Sequence, residues 1–317
     1  MAHKLCIVFG CTGQDGSLIC KSLLKKGYEV IGISRSNRPD YQYLKQLGIN
    51  KSFEIKKLGV ENDLFSFQKI IEFYNPIEIY NLSAQSSVAV SFQDPYRSIK
   101  SIYHKTLILL EAARKIEFEG NIFFAGSSEI FGETDIGADI NYPRNPKSPY
   151  ALAKEASMTL VQQYREIYGL NCMTGVLFNH ESELRSDKFV IPKIIKGAIN
   201  SKKNSNYKLS LGNINISRDW GWAEDYVEAM QIITRAKEKK DYVICTGKLI
   251  SLKELIQQVF TKLDLNWKDY VVLEKEFERP YDILQSYGNP QALKEELGWE
   301  NKKNIDDIIH LIMNNNQ

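Results

Sequence analysis

The chain has 317 residues, and its 41 lysines and arginines nearly balance its 39 aspartates and glutamates, which gives a formal net charge of +2. This balance excludes the strongly positive field typical of nucleic-acid-binding proteins and does not favour an anionic membrane surface. No apolar run approaches the ~20 residues that cross a bilayer, and no signal-peptide pattern precedes the first predicted strand. The five cysteines and four histidines show no metal-ligand spacing, so we expect reduced thiols, no metal site and a cytoplasmic protein.

The first predicted elements are a strand over 5–10, a glycine-rich loop and a helix over 15–26. The strand is a short apolar run that ends in glycine, as buried parallel strands often do. The loop reads GCTGQDG over residues 10–16. Its glycines permit a tight turn and a close approach of the backbone, and the N-terminus of the following helix can face a pyrophosphate. This order of elements predicts a dinucleotide-binding turn.

The second predicted strand, 28–34, is followed by a basic loop that contains Arg35 and Arg38 and has no acid before Asp40. Sites selective for NAD usually place an acid here for the ribose 2′-hydroxyl, whereas an arginine accommodates the 2′-phosphate of NADP. The loop therefore favours NADP over NAD. A solvated basic loop without a ligand is the alternative.

Strands and helices then alternate along the chain as in a doubly wound α/β sheet. Further strands are predicted over 53–58, 78–83, 121–126, 172–178 and 242–246, and further helices over 63–74, 97–117, 148–168, 189–201, 223–237, 251–263, 289–297 and 304–315. This rhythm is lost from about 180 to 220 and in the C-terminal third. We therefore expect a parallel Rossmann domain over 1–180, to which 215–247 returns, and a smaller substrate-binding lobe over 181–214 and 248–317.

A hydroxyl, a carboxylate, a phenol and an amine occur close together after the fifth predicted strand. Ser127 and Glu129 follow that strand, and the helix over 148–168 carries Tyr150 and Lys154. Residues four apart share one helix face, and a nearby ammonium lowers the pKa of a tyrosine from about 10, so Tyr150 is a candidate base. The alternatives are a surface Tyr–Lys pair without a function and an ordinary loop acid at Glu129.

Several motifs together resemble the GDP-mannose 4,6-dehydratase family of the extended short-chain dehydrogenase/reductase superfamily. They are GQDG at 13–16, NLSAQS at 81–86, SSEIFG at 127–132, NHES at 179–182, RDWG at 218–221, YVEAM at 226–230 and DYVICTG at 241–247. NHES and RDWG are more specific than the cofactor turn, because simple epimerases do not usually carry them. The resemblance covers nearly the whole chain.

The resemblance implies dehydration of a GDP-hexose through bound NADP. Tyr150, assisted by Lys154, would take the proton of the sugar hydroxyl at carbon 4 as hydride passes to the cofactor. Glu129 would then remove the proton of carbon 5 and help to expel the carbon 6 hydroxyl as water, after which the hydride returns to carbon 6. Ser127 would hydrogen-bond the reacting hydroxyl. The implied catalytic set is Ser127, Glu129, Tyr150 and Lys154.

The resemblance also implies where the cofactor and the sugar nucleotide bind. The cofactor residues are Gly10, Thr12, Gly13, Gln14, Asp15, Gly16, Arg35, Asp63, Leu82 and Ala84, together with Tyr150 and Lys154. The substrate residues are Ser86, Asn179, Glu181, Lys193, Arg218, Arg279 and Asp282, with Asn179 and Arg218 on the diphosphate, where the planar donor fork of arginine is well suited. An exposed helical lysine without a ligand is the alternative for Lys193.

Some residues depart from the family pattern. Ser127 stands where threonine is usual, Ser87 where histidine is common and Asp282 where glutamate is usual, and Leu284 replaces an aspartate. An acid that commonly contacts adenine is replaced in Gly59-Val60-Glu61. The loop after the second strand, which often builds a tetramer contact, is short. These departures leave the hexose, the adenine contacts and the assembly open, but not the type of reaction.

GDP-mannose is the favoured substrate, and GDP-N-acetylglucosamine and a GDP-heptose are the alternatives. A sugar-nucleotide 4-epimerase or 4-ketoreductase would share Tyr150 and Lys154 but would not need Glu129. A regulatory NADP-binding protein would usually have lost the tyrosine or the lysine. Because the helices over 97–117 and 148–168 commonly form a four-helix dimer interface in this superfamily, we expect a homodimer or homotetramer, with no nucleic-acid or membrane partner.

Overall fold

The computed structural model of the protein describes residues 4–36, 40–58, 63–277 and 281–316. The strands in chain order are β1 (Leu5–Phe9), β2 (Glu29–Ser34), β3 (Glu54–Lys57), β4 (Glu78–Asn81), β5 (Asn121–Ala125), β6 (Cys172–Leu177), β7 (Asn179–Glu181), β8 (Leu209–Leu211), β9 (Ser217–Arg218), β10 (Trp220–Trp222), β11 (Tyr242–Ile244), β12 (Ile250–Ser251), β13 (Val271–Leu273) and β14 (Gln285–Ser286). The α-helices are α1 (Gln14–Lys25), α2 (Gln42–Gln46), α3 (Leu64–Tyr74), α4 (Val88–Gln93), α5 (Pro95–Ile99), α6 (Lys105–Lys115), α7 (Pro149–Tyr168), α8 (Val190–Lys203), α9 (Ala223–Arg235), α10 (Leu252–Thr261), α11 (Gln291–Leu297) and α12 (Ile305–Asn316).

Within the described residues, seven strands form one parallel sheet in the order β11-β6-β5-β4-β1-β2-β3. This confirms the predicted doubly wound fold, and each predicted strand ends within two residues of the observed one. Every residue of β1 is buried because helices cover both faces of the sheet. The side chains of β1 alternate accordingly: Leu5, Ile7 and Phe9 face one core cluster, whereas Cys6 and Val8 face the other.

The topology creates a crevice at the carboxyl edge of the sheet. The chain starts at β1 in the middle of the sheet, runs to β2 and β3 on one side, and later runs to β4, β5 and β6 on the other. The strand order therefore reverses between β1 and β4, and open parallel sheets bind ligands outside the carboxyl ends of the strands at such a point. The glycine loop after β1 and the segment from Ser127 to Glu129 after β5 both lie at this edge.

A second core lies outside the main sheet. Side chains of α8, α10 and α12 form it together with Trp220 and Trp222 of β10. Short strands frame it: β8 pairs with β13, β10 pairs with β7, and β9 lies between β12 and β14. Leu293 and Trp299, which fall in the predicted smaller lobe, pack in the main core instead. The domain boundaries stay a prediction.

The predicted helix over 97–117 is divided into three consecutive segments. These are α5, a π-helical turn at Lys100–His104, and α6. The first segment begins early, at Pro95, because the Asp94 carboxylate accepts a hydrogen bond from Arg97 N at 2.9 Å and caps it. Apolar periodicity also does not reveal α2, α4 or the small strands outside the main sheet, since these helices have only five or six residues and these strands only two or three.

A buried carboxylate stabilises the amino edge of the sheet. Glu78, at the start of β4, is 3% exposed and accepts hydrogen bonds from Arg235 Nε at 2.7 Å, Arg235 NH2 at 2.9 Å and Tyr80 OH at 2.7 Å. Arg235 belongs to the last turn of α9. The pair therefore connects that helix to the centre of the sheet.

Replacement of Arg235 by methionine should lower the free energy of unfolding by about 3 kcal/mol, because loss of one partner leaves a buried charge uncompensated. Arg114→Met is the matched control. It breaks the ion pair between Arg114 and Glu111, whose side chains are 37% and 24% exposed, respectively. This change should lower the free energy of unfolding by less than about 1 kcal/mol. Urea unfolding of both variants measures the difference, and equal losses would contradict the role assigned to Glu78 and Arg235.

Candidate active site

Tyr150 and Lys154 lie at the start of α7, close to the carboxyl end of β5. The helix begins there because the Ser148 hydroxyl accepts a hydrogen bond from Ala151 N at 3.1 Å, and Pro149 occupies the first helical position. Tyr150 is 8% exposed and Lys154 is 7% exposed. The four-residue spacing therefore brings the phenol and the amine to one buried face of the helix, as predicted.

The Lys154 ammonium is fixed by the end of β5. Its Nζ donates a hydrogen bond of 2.6 Å to the Ala125 carbonyl oxygen and lies 4.9 Å from the centre of the Phe124 ring and 5.8 Å from that of Tyr150. Burial lowers the pKa of Lys154 to about 8, against the opposing effect of the Asp15 carboxylate. The side chain is therefore charged at neutral pH and loses its charge only slightly above it.

The acidity of Tyr150 differs from the expectation. Burial raises its pKa to about 12, even though a hydrogen bond with Ser127 acts in the lowering direction. The prediction that Lys154 brings this pKa towards neutral pH is wrong, because desolvation of the phenolate outweighs the hydrogen bond with Ser127 and the positive charge of Arg185. At neutral pH Tyr150 is a protonated phenol hydrogen-bonded to Ser127.

Glu129 lies in a 3-10 turn, Ser128–Ile130, directly after β5, and its backbone N–H donates to the Ser127 hydroxyl at 3.4 Å. Its side chain lines a narrow cleft that Arg218 also lines. Arg218 reaches this cleft from β9, is 5% exposed and donates to the Ser217 carbonyl oxygen at 2.9 Å. The structure thus brings the predicted base and a predicted diphosphate ligand to one cleft.

Two glycines of the loop after β1 leave no room for a side chain. Gly10 has a φ of +81°, and a Cβ on Gly16 would lie 2.0 Å from the Gly10 carbonyl oxygen. At Gly13 a Cβ would stay 3.4 Å from the Gly10 carbonyl oxygen, and no side chain among the described residues caps α1 there. The first N–H groups of α1 are therefore available to an anion at the carboxyl edge.

The other predicted cofactor residues lie around this edge. Thr12 belongs to the turn, and Leu82 and Ala84 follow β4. Arg35 is exposed directly after β2, whereas the Asp63 carboxylate caps α3 by accepting from Ser66 N at 2.9 Å. Arg38 and Glu61 lie outside the described residues. The roles of these residues in cofactor binding stay predictions.

Gln14 and Asp15 direct their side chains into the protein. Both Asp15 carboxylate oxygens lie 3.0 Å from His180 Nε2, and Oδ1 also accepts from Gln14 Nε2 at 3.0 Å. The Gln14 side-chain oxygen accepts from the Ser182 hydroxyl at 2.8 Å. Burial acts to raise the pKa of Asp15, but His180 and Gln14 together hold it below its ordinary value. The NHES segment therefore contacts the cofactor turn directly.

Asn179 and Glu181 lie on β7, which pairs with β10. Asn179 is partly exposed, whereas Glu181 is 2% exposed and its Oε2 lies 3.6 Å from Arg185 Nε. Burial raises the pKa of Glu181, and the Arg185 guanidinium opposes this rise. Glu181 thus has a partner inside the protein, and its predicted role in substrate binding stays a prediction.

The remaining predicted substrate residues are more dispersed. Ser86 is exposed between β4 and α4, and the Lys193 ammonium of α8 lies 4.2 Å from the centre of the Phe277 ring. Asp282 is partly buried, and Arg279 lies outside the described residues. The described lining of the Glu129 cleft includes neither Ser86, Lys193 nor Asp282. Their roles stay predictions.

Sequence patterns missed the other residues of the cleft. Lys147 and Tyr281 line it, with the Lys147 ammonium 6.0 Å from the centre of the Tyr281 ring. The rest of the lining consists of Val88, Ser148 and Ile283. These residues come from distant parts of the chain, and only the fold reveals that they meet.

Asp219, within the RDWG motif, is a second feature that sequence patterns missed. Its Oδ1 accepts from Thr246 N at 2.9 Å and Thr246 Oγ1 at 2.7 Å, and its Oδ2 accepts from Gly247 N at 2.8 Å. Burial raises the pKa of Asp219 to about 6 despite these hydrogen bonds. The carboxylate therefore connects the segment next to Arg218 to the loop after β11. The RDWG motif is the sequence signal that could have indicated this role of Asp219.

Comparison with known proteins gives a consistent result at the level of sequence. The sequence model of the GDP-mannose 4,6 dehydratase family matches residues 7–312. GDP-mannose 4,6 dehydratase 1 of Arabidopsis thaliana is 38% identical, with 98% of this chain and 89% of that protein covered. GDP-mannose 4,6-dehydratase of Vibrio cholerae serotype O1 is 34% identical, with 98% of this chain and 92% of that protein covered.

Solved structures share the fold at lower identity. UDP-glucose 4-epimerase of Thermotoga maritima, solved with UDP-glucose, superposes with a TM-score of 0.86 at 21% identity and 98% coverage of both chains. A dTDP-glucose 4,6-dehydratase of Bacillus anthracis, solved with NAD, gives a TM-score of 0.84 at 19% identity, covering 98% of this chain and 96% of that one. The fold is thus that of nucleotide-sugar epimerases and dehydratases, and by its sequence the chain belongs to the GDP-mannose 4,6-dehydratase family.

Proposed function

We propose that the protein is a GDP-mannose 4,6-dehydratase that acts through a bound nicotinamide cofactor. The observation that carries the proposal is the position of Glu129, which shares a cleft with Arg218 and follows directly on Ser127, the hydrogen-bond partner of Tyr150. A reaction that only oxidises and reduces carbon 4 needs the phenol, whereas elimination of water needs a second acid–base group. Glu129 supplies that group.

In the first step Tyr150 releases its own proton to solvent and, as the phenolate, receives the proton of the carbon 4 hydroxyl as that carbon becomes a ketone. The Ser127 hydroxyl hydrogen-bonds the phenol and orients it, and the Lys154 ammonium, 5.8 Å from the ring centre, favours negative charge on the phenol oxygen. The bound nicotinamide supplies the hydride acceptor for carbon 4 and the hydride donor for carbon 6.

In the second step Glu129 removes the proton of carbon 5, which the neighbouring ketone has made acidic. The carboxylic acid so formed returns that proton to the departing carbon 6 hydroxyl, which leaves as water. Hydride addition at carbon 6 and a proton taken up from solvent at carbon 5 then complete a 4-keto-6-deoxy sugar. Arg218 and Asn179 hold the diphosphate in this proposal, since a guanidinium forms paired hydrogen bonds with phosphate oxygens.

NADP is the cofactor in this proposal. The glycine turn and the uncapped first turn of α1 suit a pyrophosphate, since backbone N–H groups and the helix dipole favour an anion there. The exposed Arg35 at the end of β2 supports a 2′-phosphate rather than a free hydroxyl. The five cysteines are free and buried, which supports a reducing cytoplasmic location.

Alternative substrates are a GDP-N-acetylglucosamine or a GDP-heptose, which would use the same residues with a different sugar pocket. A 4-epimerase or 4-ketoreductase is less well supported, because it leaves Glu129 without a role. Incubation of the purified protein with GDP-, UDP- and dTDP-sugars, read by mass spectrometry, separates these possibilities. Loss of one water from GDP-mannose alone is the expected result. A stereoisomer of unchanged mass would overturn dehydration.

Glu129→Gln should abolish formation of the 4-keto-6-deoxy product while leaving cofactor binding unchanged, because the amide cannot accept the carbon 5 proton. We expect a loss of about 10²–10⁴-fold in kcat, the usual contribution of an acid–base group. Product formation by mass spectrometry and NADP affinity by fluorescence measure the two properties. Normal turnover by this variant would show that Glu129 is not the base.

The rate should rise about tenfold for each pH unit up to about pH 8 and stay constant above it. Burial raises the pKa of Tyr150 to about 12, so the phenolate fraction increases with pH over this whole range. Burial lowers the pKa of Lys154 to about 8, so the charge that favours the phenolate is present below this pH and is lost above it, which cancels the further gain in phenolate. The measurement is kcat as a function of pH, and a rate that continues to rise about tenfold per unit to about pH 9.5 would contradict the role of Lys154.

Two glycine variants test the cofactor turn. Gly16→Ala should lower the free energy of unfolding by about 2 kcal/mol, because its Cβ would collide with a backbone carbonyl. Gly13→Ala has room for its methyl group and should keep stability within about 1 kcal/mol. It should nevertheless weaken NADP binding about tenfold, because the glycine turn allows the pyrophosphate to approach the backbone closely and a methyl group there hinders that approach. Unchanged NADP affinity in Gly13→Ala would place the pyrophosphate elsewhere.

We propose that the protein assembles as a homodimer or as a homotetramer of two such dimers. Apolar side chains on α5 and α7 support it: Tyr96 is 75% exposed, Ile99 is 37% exposed and Leu152 is 51% exposed. Light scattering at micromolar concentration should give at least twice the chain mass of 36.4 kDa, and Leu152→Glu should shift the population to monomer. A monomeric wild-type protein would refute the assembly.

A further inference from the structure

Both ring nitrogens of His180 face oxygen acceptors. Nδ1 lies 2.7 Å from the Phe178 carbonyl oxygen, and Nε2 lies 3.0 Å from each carboxylate oxygen of Asp15. A neutral imidazole donates from only one nitrogen, so it would leave the other nitrogen's lone pair against an acceptor. Only an imidazolium donates to both oxygens. The geometry therefore places a positively charged histidine inside the protein.

The surroundings of His180 compensate this charge. His180 is 8% exposed. The centre of its ring lies 4.7 Å from the centre of the Tyr226 ring on α9, and the two ring planes are tilted by 31°. The charged groups around it are Asp15 on α1, Glu181 on β7 and Arg185 in the loop beyond β7. Two acidic and two basic side chains thus lie together in one largely buried cluster. The pKa of His180 is accordingly raised: burial opposes the charge, but the Asp15 carboxylate outweighs this effect.

Three contacts connect the cofactor turn to the strand β7 through this cluster. Besides the Asp15–His180 pair, Gln14 Nε2 donates to the His180 carbonyl oxygen at 3.4 Å, and the Ser182 hydroxyl donates to Gln14 Oε1 at 2.8 Å. Gln14 and Asp15 are the first two residues of α1, and Asn179 starts β7. The end of the helix that faces the pyrophosphate is therefore held in fixed register with the strand that presents Asn179.

We propose that the His180 imidazolium is a positioning residue that locks the cofactor turn to β7 and so sets the place of Asn179 for the diphosphate of the nucleotide sugar. This role rests on the proposed dehydratase function. His180 does not touch the reacting atoms. It acts through Asp15 on one side and through the backbone of β7 on the other.

Two substitutions separate the hydrogen bonds of His180 from its packing. His180→Phe keeps a ring against Tyr226 but loses both donors. His180→Gln keeps an amide donor that can reach Asp15. With saturating NADP⁺, His180→Phe should raise KM for GDP-mannose at least about tenfold with kcat within about threefold, since a positioning contact made before the chemistry acts on binding. In His180→Gln the rise in log KM relative to the wild-type protein should be at most half of that in His180→Phe.

A buried pair at the amino edge of the sheet supplies the control. Asp241 accepts from Arg165 NH1 at 2.8 Å and NH2 at 3.0 Å, and it is distant from the carboxyl edge because it precedes β11. Asp241→Asn should lower the thermal midpoint but leave KM within about twofold, because destabilisation alone does not move the binding groups. An equal rise of KM in Asp241→Asn, or a folded His180→Phe with unchanged KM, would overturn the proposal.

If His180→Phe does not fold, Ser182→Ala tests the same connection more mildly. It removes only the hydroxyl that donates to Gln14, and we expect KM to rise about threefold. An unchanged KM in this folded variant counts against the proposal.

Nuclear magnetic resonance of the ring nitrogens tests the charge without any substrate. The signals of His180, assigned by their loss in His180→Gln, should show both nitrogens protonated at pH 7. One unprotonated nitrogen would overturn the imidazolium while leaving the dehydratase proposal intact. Absence of GDP-mannose turnover in the wild-type protein, with both nitrogens protonated, would instead refute the proposed function.

Discussion

The hydrogen bond from Lys154 to the Ala125 carbonyl oxygen determines the geometry of the carboxyl edge. It joins α7 to the end of β5, with the ammonium donating at 2.6 Å. Tyr150 is carried by the helix, and Ser127 and Glu129 are carried by the segment after the strand. The bond therefore holds the proposed base, its hydroxyl partner and the proposed second acid–base group in a fixed relative position. It also satisfies a buried cation that would otherwise be costly to desolvate.

Buried charge is distributed unevenly over the molecule. At the amino edge, Glu78 with Arg235 and Asp241 with Arg165 join neighbouring elements by charge-assisted hydrogen bonds. At the carboxyl edge, the cluster around His180 lies between the cofactor turn and β7. In both places a charge inside the protein is matched by an opposite one, because an unpaired buried charge is strongly destabilising. The two differ in what they connect: the pairs at the amino edge join elements of the scaffold, and the cluster at the carboxyl edge joins the cofactor turn to β7, the strand that carries Asn179.

Much of the fold follows from the sequence. Most strands of the main sheet are buried runs that alternate with helices, so their pattern is visible, and the predicted turn sequence GCTGQDG forms the turn after β1 in the structure. The helix that carries Tyr150 and Lys154 was also accessible, since its spacing, its capping serine and its proline are local features. Local chemistry of this kind does not depend on the rest of the chain.

The features of the candidate site that the sequence does not predict depend on contacts between distant segments of the chain. Lys147 and Tyr281 meet across the cleft only because the chain returns to it after β13. Asp15 was expected to face a cofactor, but its carboxylate is engaged by a histidine 165 positions away. The pKa of Tyr150 moved in the direction opposite to that inferred from Lys154, because the extent of burial is a property of the packed structure.

The burial of the five cysteines determines how the folded protein reacts with thiol-directed reagents. Cys6, Cys11, Cys20, Cys172 and Cys245 are all free and buried, and burial raises the pKa of each thiol. Since thiolates rather than thiols react with alkylating reagents and peroxides, the folded protein presents no ready nucleophilic sulfur. Alkylation or oxidation of these thiols therefore requires local or global unfolding that exposes them. The rate at which these sulfurs become labelled therefore reports how often the interior is exposed, and oxidation of these thiols is confined to molecules that have already begun to unfold.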